Sequence, residues 1–176
     1  MFRKILSYGL VAGLIAGIAL SLVVVGVGHE LSYGMYIGYA IMLVALSTIF
    51  VAVKRRRDAE LGGVIGFWQA LGMGLGISAV AGVVYVAAWE ITQVAAHLDF
   101  ANSYASSLIA QKKAQGVHGE ALAKFVAEME TFKVQYANPL FRWPMTFAEI
   151  FPVGVLVSLF SAGALSFSRF LPARRA

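Results

Sequence analysis

Cysteine is absent from the 176 residues. That absence excludes disulfides, cysteine-bound zinc and thiol nucleophiles together. Charge is scarce: Asp, Glu, Lys and Arg make up 13% of the chain, against about a quarter in an ordinary soluble domain. The three histidines, His29, His97 and His118, lie in separate segments. No two of them share a helical turn as a His-Glu-x-x-His site requires. A nucleotide-binding Gly-x-x-x-x-Gly-Lys-Ser/Thr loop is missing, and no Ser/His/Asp arrangement emerges from spacing. No metal, no cofactor and no catalytic residue is therefore expected, and the chain reads as a non-enzyme.

What is present is apolar. Hydrophobic residues make up 60% of the chain, and the mean hydropathy is +0.78. The apolar residues gather into runs long enough to cross a bilayer. The expected fold is all-α, a single integral membrane four-helix bundle over residues 1–176. Its spans are expected at about 5–27, 35–53, 64–90 and 144–168. The first would reach roughly 35 Å at about 1.5 Å per residue, enough to cross with some tilt. It follows Arg3 and Lys4, exceeds a usual signal-peptide core and has no Ala-x-Ala site after it, so a retained helix is expected. Phe67 and Trp68 suit one membrane interface, Tyr85 and Trp89 the other.

Between the third and fourth spans the composition changes. Leu98, Ala101, Tyr104, Ala105, Leu108 and Ile109 form one helical stripe, and Leu122, Phe125, Val126, Met129 and Phe132 form another. Gly116-Val117-His118-Gly119 separates them as a turn. This predicts an extramembrane amphipathic helical hairpin over about 97–137, its apolar side resting on the bundle or on lipid headgroups. Lys124 and Glu128 are spaced to pair on its exposed face.

The cations sit at segment ends. Lys54, Arg55, Arg56 and Arg57 separate the second and third runs, Arg3 and Lys4 precede the first, and Arg169, Arg174 and Arg175 follow the last. The Gly28–Gly34 connection, with His29 and Glu30, has none. Four spans put all three cation groups on one side, which predicts both termini in the cytoplasm and the hairpin outside. The net charge of +5 is thus accounted for by topology, and a nucleic-acid partner is not expected.

Small residues recur at every fourth position: Gly9, Gly13, Gly17 and Ser21; Gly66, Ala70, Gly74, Ser78 and Gly82; Gly154, Ser158, Ala162 and Ser166. In lipid such faces let backbones approach and gain dispersion contacts. Packing within the chain is the expected use, a dimer seam the alternative.

Few residues can carry chemistry. Glu90, Arg142 and Glu149 are the charges nearest the hairpin side of the membrane, and Arg142 and Glu149 would share one face of a continuous helix. They read as an ion pair, proton site or substrate clamp, or as an interfacial pair beside a helix cap. Thr146-Phe147-Ala148-Glu149 matches a capping box, and Pro152 predicts a kink. On the other side, Arg57, Asp58, Glu60, Gly62 and Gly63 are expected to form a solvated turn in which the acids neutralise part of the cationic charge, with a lipid-headgroup or partner site as the alternative. Gly62 or Gly63 is expected to supply a positive φ there.

Arg57-Asp58-Ala59-Glu60-Leu61-Gly62-Gly63, followed by Ile65, Phe67, Ala70 and Gly74, resembles a signature of the domain-of-unknown-function family 4199. Asn138-Pro139-Leu140-Phe141-Arg142 and Thr146-Phe147-Ala148-Glu149-Ile150-Phe151-Pro152-Val153-Gly154 resemble its second signature. The resemblance covers nearly the whole chain. It implies a small bacterial inner-membrane protein and no activity. The functional expectation is a membrane module binding lipid, another membrane protein or a second copy of itself. A small transporter or permease subunit working as an oligomer is the alternative.

Overall fold

In hydrocarbon an unpaired backbone N–H or C=O costs several kcal/mol, so an uncharged run that crosses must satisfy its own backbone as a helix. The computed structural model describes residues 1–27 and 34–167, and among these the fold is all-α. The helices are α1 (Phe2–Val27), α2 (Gly34–Leu46), α3 (Thr48–Glu60), α4 (Phe67–Ala95), α5 (Phe100–Ala114), α6 (Gly119–Tyr136) and α7 (Pro139–Ser166). Four rods are long and apolar enough to span a membrane: Phe2–Val25, Tyr36–Glu60, Phe67–Ala95 and Pro139–Ser166. This is a multi-pass membrane protein, with α5 and α6 as a non-spanning hairpin between the third and fourth rods. The connection at 28–33, with His29 and Glu30, and the cations Arg169, Arg174 and Arg175 lie outside the described residues.

The second rod is interrupted at Ser47 alone. Ser47 Oγ donates to the Val44 carbonyl at 2.6 Å and Thr48 Oγ1 to the Ala45 carbonyl at 2.8 Å. Adjacent hydroxyls bonding back to their own helix loosen the ladder locally. The rod then runs on to Glu60, past the expected end near Val53. The basic cluster is therefore helix, not turn. Cations suit a helix C-terminus, and Lys54 bonds Asp58 one turn on at 2.6 Å. The turn itself is tight. Gly62 and Gly63 have φ of 63° and 92°, where a side chain would be strained, and Gly63 N–H closes on the Arg57 carbonyl at 2.9 Å.

α4 is the axis of the bundle. α1 lies parallel to it: Gly9 faces Val80, Gly13 faces Val84 and Gly17 faces Ala88. A methyl added at Gly13 would stand 2.6 Å from Val84 Cβ and 2.8 Å from the Ala81 carbonyl. α7 lies antiparallel on another face: Gly74 meets Ser158, Ser78 meets Gly154, and Gly82 receives the Phe147 ring. Ser78 and Ser158 touch at 3.3 Å, and each hydroxyl is also satisfied by its own helix, at Gly74 and Gly154 respectively. The stripes expected on α1, α4 and α7 thus meet inside the chain at Gly9, Gly13, Gly17, Gly74, Gly82 and Gly154, whereas Gly66, at the start of the α4 row, has open space around it. Large apolar side chains such as Leu14, Leu22, Val44, Val83 and Leu156 face outward.

α7 begins earlier than its capping box suggested. Asn138 Oδ1 accepts from Leu140 N–H at 3.0 Å, and Pro139, which has no N–H to lose, takes the first helical position. Thr146 and Glu149 lie inside the helix, so the expected box does not form. The helix stays continuous through Pro144 and Pro152.

The hairpin stripes are half-buried, but they turn largely toward each other. Tyr104 packs on Phe132 with ring centres 5.7 Å apart, and Lys112 Nζ lies 5.7 Å from the centre of the Phe125 ring. Among the described residues the hairpin rests on the bundle at its base, through Phe100 and Tyr136. Lys124 and Glu128 are both exposed and form no ion pair; Glu130 and Lys133 do, at 2.6 Å.

Close approach at the seams generates the first test. Gly154→Ala sets a methyl 2.7 Å from Ser78 Cβ, whereas Gly72 has open space around it. Overpacking of this kind costs about 1–3 kcal/mol. Thermal unfolding in detergent is expected to shift down for Gly154→Ala and to hold or rise for Gly72→Ala.

Candidate functional site

The charged groups of the membrane rods collect toward their two ends. At the basic end Arg57 is 1% exposed, although it sits among four consecutive cations. Its Nε donates to Asp58 Oδ1 at 2.7 Å, while Lys54 takes the other Asp58 oxygen. Asp58 therefore bridges two cations and is more enclosed than a solvated turn would leave it. Lys4 pairs with Glu60, and Arg55 Nη1 donates to Tyr8 Oη at 3.2 Å. These contacts tie the start of α1 to the end of α3.

At the hairpin end the candidates separate. Arg142, at the start of α7, grips Glu90 of α4 through two bonds: Nε to Oε1 and Nη2 to Oε2, both 2.6 Å. A planar guanidinium meeting a carboxylate in this forked geometry is the strongest form of such a pair. Its Nη1 also donates to the Tyr136 carbonyl at 2.9 Å, and its Cζ lies 5.5 Å from the Tyr136 ring centre. One side chain thus clamps α4, α6 and α7.

Glu149 is not part of this clamp; the ion pair that was one reading of the three charges forms between Arg142 and Glu90. Among the described residues its carboxylate makes no hydrogen bond or ion pair. It lines a crevice of about 100 Å³ with Leu20, Val24, Trp89, Phe100, Tyr136 and Thr146. The aromatic side was missed in the sequence reading. Trp89 and Tyr85, assigned above to a membrane interface, are 5% and 1% exposed. Trp89 Nε1 donates to Tyr136 Oη at 2.8 Å, and Phe100 packs edge-on against Trp89 with centres 5.1 Å apart. The signal available was Trp89 beside Glu90 at the end of an apolar run. Its partners lie in the hairpin, beyond the reach of local spacing. Burial pushes the Tyr136 phenol up to about 12, so it remains a proton donor throughout the physiological range.

Beside this crevice, α4 and α7 open sideways in a larger groove of about 530 Å³ lined by Val83, Val86, Leu140, Trp143, Pro144 and Phe147. No group of three or more His, Cys, Asp or Glu residues is placed to hold a metal among the described residues.

Four membrane-spanning rods around a shared axis, with a clamped helical hairpin before the last, define a small helical multi-pass membrane protein. The chain belongs to the DUF4199 family, described as a protein of unknown function, whose family model matches residues 7–166. Comparison with curated proteins gives no match, and comparison with solved structures gives none either.

The clamp can be tested by removing either half. Arg142→Met leaves Glu90 part-buried without its cation and should lower unfolding stability in detergent by about 2 kcal/mol, as loss of hydrogen bonds to charged groups does. Adding Glu90→Gln should recover part of that loss. A double variant no better than Arg142→Met alone would show that the two side chains act separately.

Proposed function

We propose that this protein is a non-enzymatic module of the bacterial inner membrane that binds a lipid or another membrane protein along its α4/α7 flank. The observation that carries this reading is the groove formed by Val83, Val86, Leu140, Trp143, Pro144 and Phe147. Its walls are predominantly apolar, and it opens sideways from the bundle. Sites that take lipid tails or apolar helix faces are built this way, with affinity from buried area and packing. Trp143, 46% exposed at the groove, has the amphipathic ring that favours the headgroup level.

The seams beside the groove are filled. Glycine on one helix meets valine, serine or phenylalanine on the next, which leaves the monomer little room for a solute path. A role as a transporter subunit would require the path to form between copies. Both termini are assigned to the cytoplasm and the hairpin to the periplasm. What supports this is the joining of Arg3 and Lys4 to the 54–60 segment at one end of the rods, through Lys4–Glu60 and Arg55–Tyr8.

Two measurements test these assignments. The absence of native cysteine makes single-cysteine labelling background-free. A membrane-impermeant maleimide applied to spheroplasts should label Ser107→Cys at once and Ala59→Cys only after permeabilisation. The reverse order would invert the topology. A photo-crosslinking amino acid in place of Trp143, activated in native membranes, should give a lipid or protein adduct. Exclusive recovery of unmodified monomer would overturn the binding role.

A further inference from the structure

The crevice at Glu149 has a different chemistry from the neighbouring groove. Five helices converge on it. α1 supplies Leu20 and Val24, α4 supplies Trp89, α5 and α6 supply Phe100 and Tyr136, and α7 supplies Thr146 and Glu149. Its one charged group is a carboxylate that no described residue neutralises. The nearby cation, Arg142, is already committed to both oxygens of Glu90 and to the Tyr136 carbonyl. Glu149 is itself exposed, which gives the crevice a mouth.

We propose that this crevice binds a primary ammonium group, with its charge on Glu149 and its carbon side against the wall of Trp89, Phe100 and Tyr136. An unpaired carboxylate within a membrane rod is costly, and a bound cation offsets that cost. A divalent metal is the wrong occupant. Calcium takes six to eight oxygen ligands and magnesium a near-ideal octahedron, whereas this site offers one carboxylate with the Thr146 and Tyr136 hydroxyls. Aromatic and carboxylate groups together suit an organic ammonium, which gains both a charge-assisted hydrogen bond and attraction to ring electrons. The crevice, about 100 Å³, is a small one and suits an aminomethyl or aminoethyl head. Either a free short-chain amine or the ethanolamine head of a phospholipid presents such a group.

The test uses the full chain in nanodiscs of phosphatidylglycerol alone, with ¹⁵N-labelled tryptophan. The three indole N–H signals, from Trp68, Trp89 and Trp143, are followed by NMR as methylammonium chloride is added. Saturable movement of the Trp89 signal is expected, with Trp68 unmoved. Sodium chloride at equal concentration should leave Trp89 in place. Glu149→Gln should weaken the methylammonium response at least tenfold. In discs that also contain phosphatidylethanolamine, a Trp89 signal already shifted and no longer responsive assigns the lipid head as the source. An unchanged titration assigns the free amine. A stationary Trp89 signal in phosphatidylglycerol discs, or an equal response to sodium, overturns the proposal. So does an unchanged titration in Glu149→Gln. The wild-type arms decide the matter even where that variant fails to fold, and none of them depends on the Trp143 groove.

Discussion

Backbone proximity is the constraint on which this bundle depends. Water drives no association between helices already in lipid, so the rods must gain their stability from contact at short range. α4 meets this requirement twice. Toward α1 it presents Val80, Val84 and Ala88 to a row of glycines, and toward α7 it presents Gly74, Ser78 and Gly82 to serine, glycine and phenylalanine. In each case one side of the seam gives up its side chain so that the other can fill the space. The hydroxyls in these seams return to carbonyls of their own helices, so they add contact without leaving an unsatisfied polar atom.

Polar side chains then finish what the seams begin. At one end Asp58 lies between Lys54 and Arg57, and Lys4 reaches Glu60 from another rod. At the other end Arg142 joins α4, α6 and α7 through Glu90 and Tyr136. The hairpin is attached through this clamp and through the Trp89, Phe100 and Tyr136 rings, while its far part packs on itself. The region between the rods and the hairpin is therefore where charge, aromatic surface and a carboxylate that no described residue neutralises come together.

Much of this was legible in the sequence because membrane spans are governed by run length and by charge at their ends. The four rods, the hairpin, the inward use of the glycine rows and the positive φ of Gly62 and Gly63 all follow from local pattern. What local pattern did not supply was pairing at a distance. Arg142 chose Glu90, 52 positions away, over Glu149 seven residues on along its own helix. The Thr146–Glu149 box gave way to Asn138-Pro139, which offered a stronger helix start earlier in the chain. Trp89 looked interfacial and proved buried, because the hairpin that covers it folds back from later sequence. The basic cluster remained helical because its cations stabilise the very terminus that their number suggested they would break.

The two contact rows on α4 have a mechanical consequence. They are offset by two positions, which at roughly 100° per residue places them about 200° apart around the rod. α1 and α7 therefore hold α4 from nearly opposite sides, like jaws on a shaft. Any twist of that shaft must turn both jaws, and α7 bears the arginine that grips the base of the hairpin. A torque applied where α3 joins α4 would thus be shared between α1 and α7 along the length of the rod.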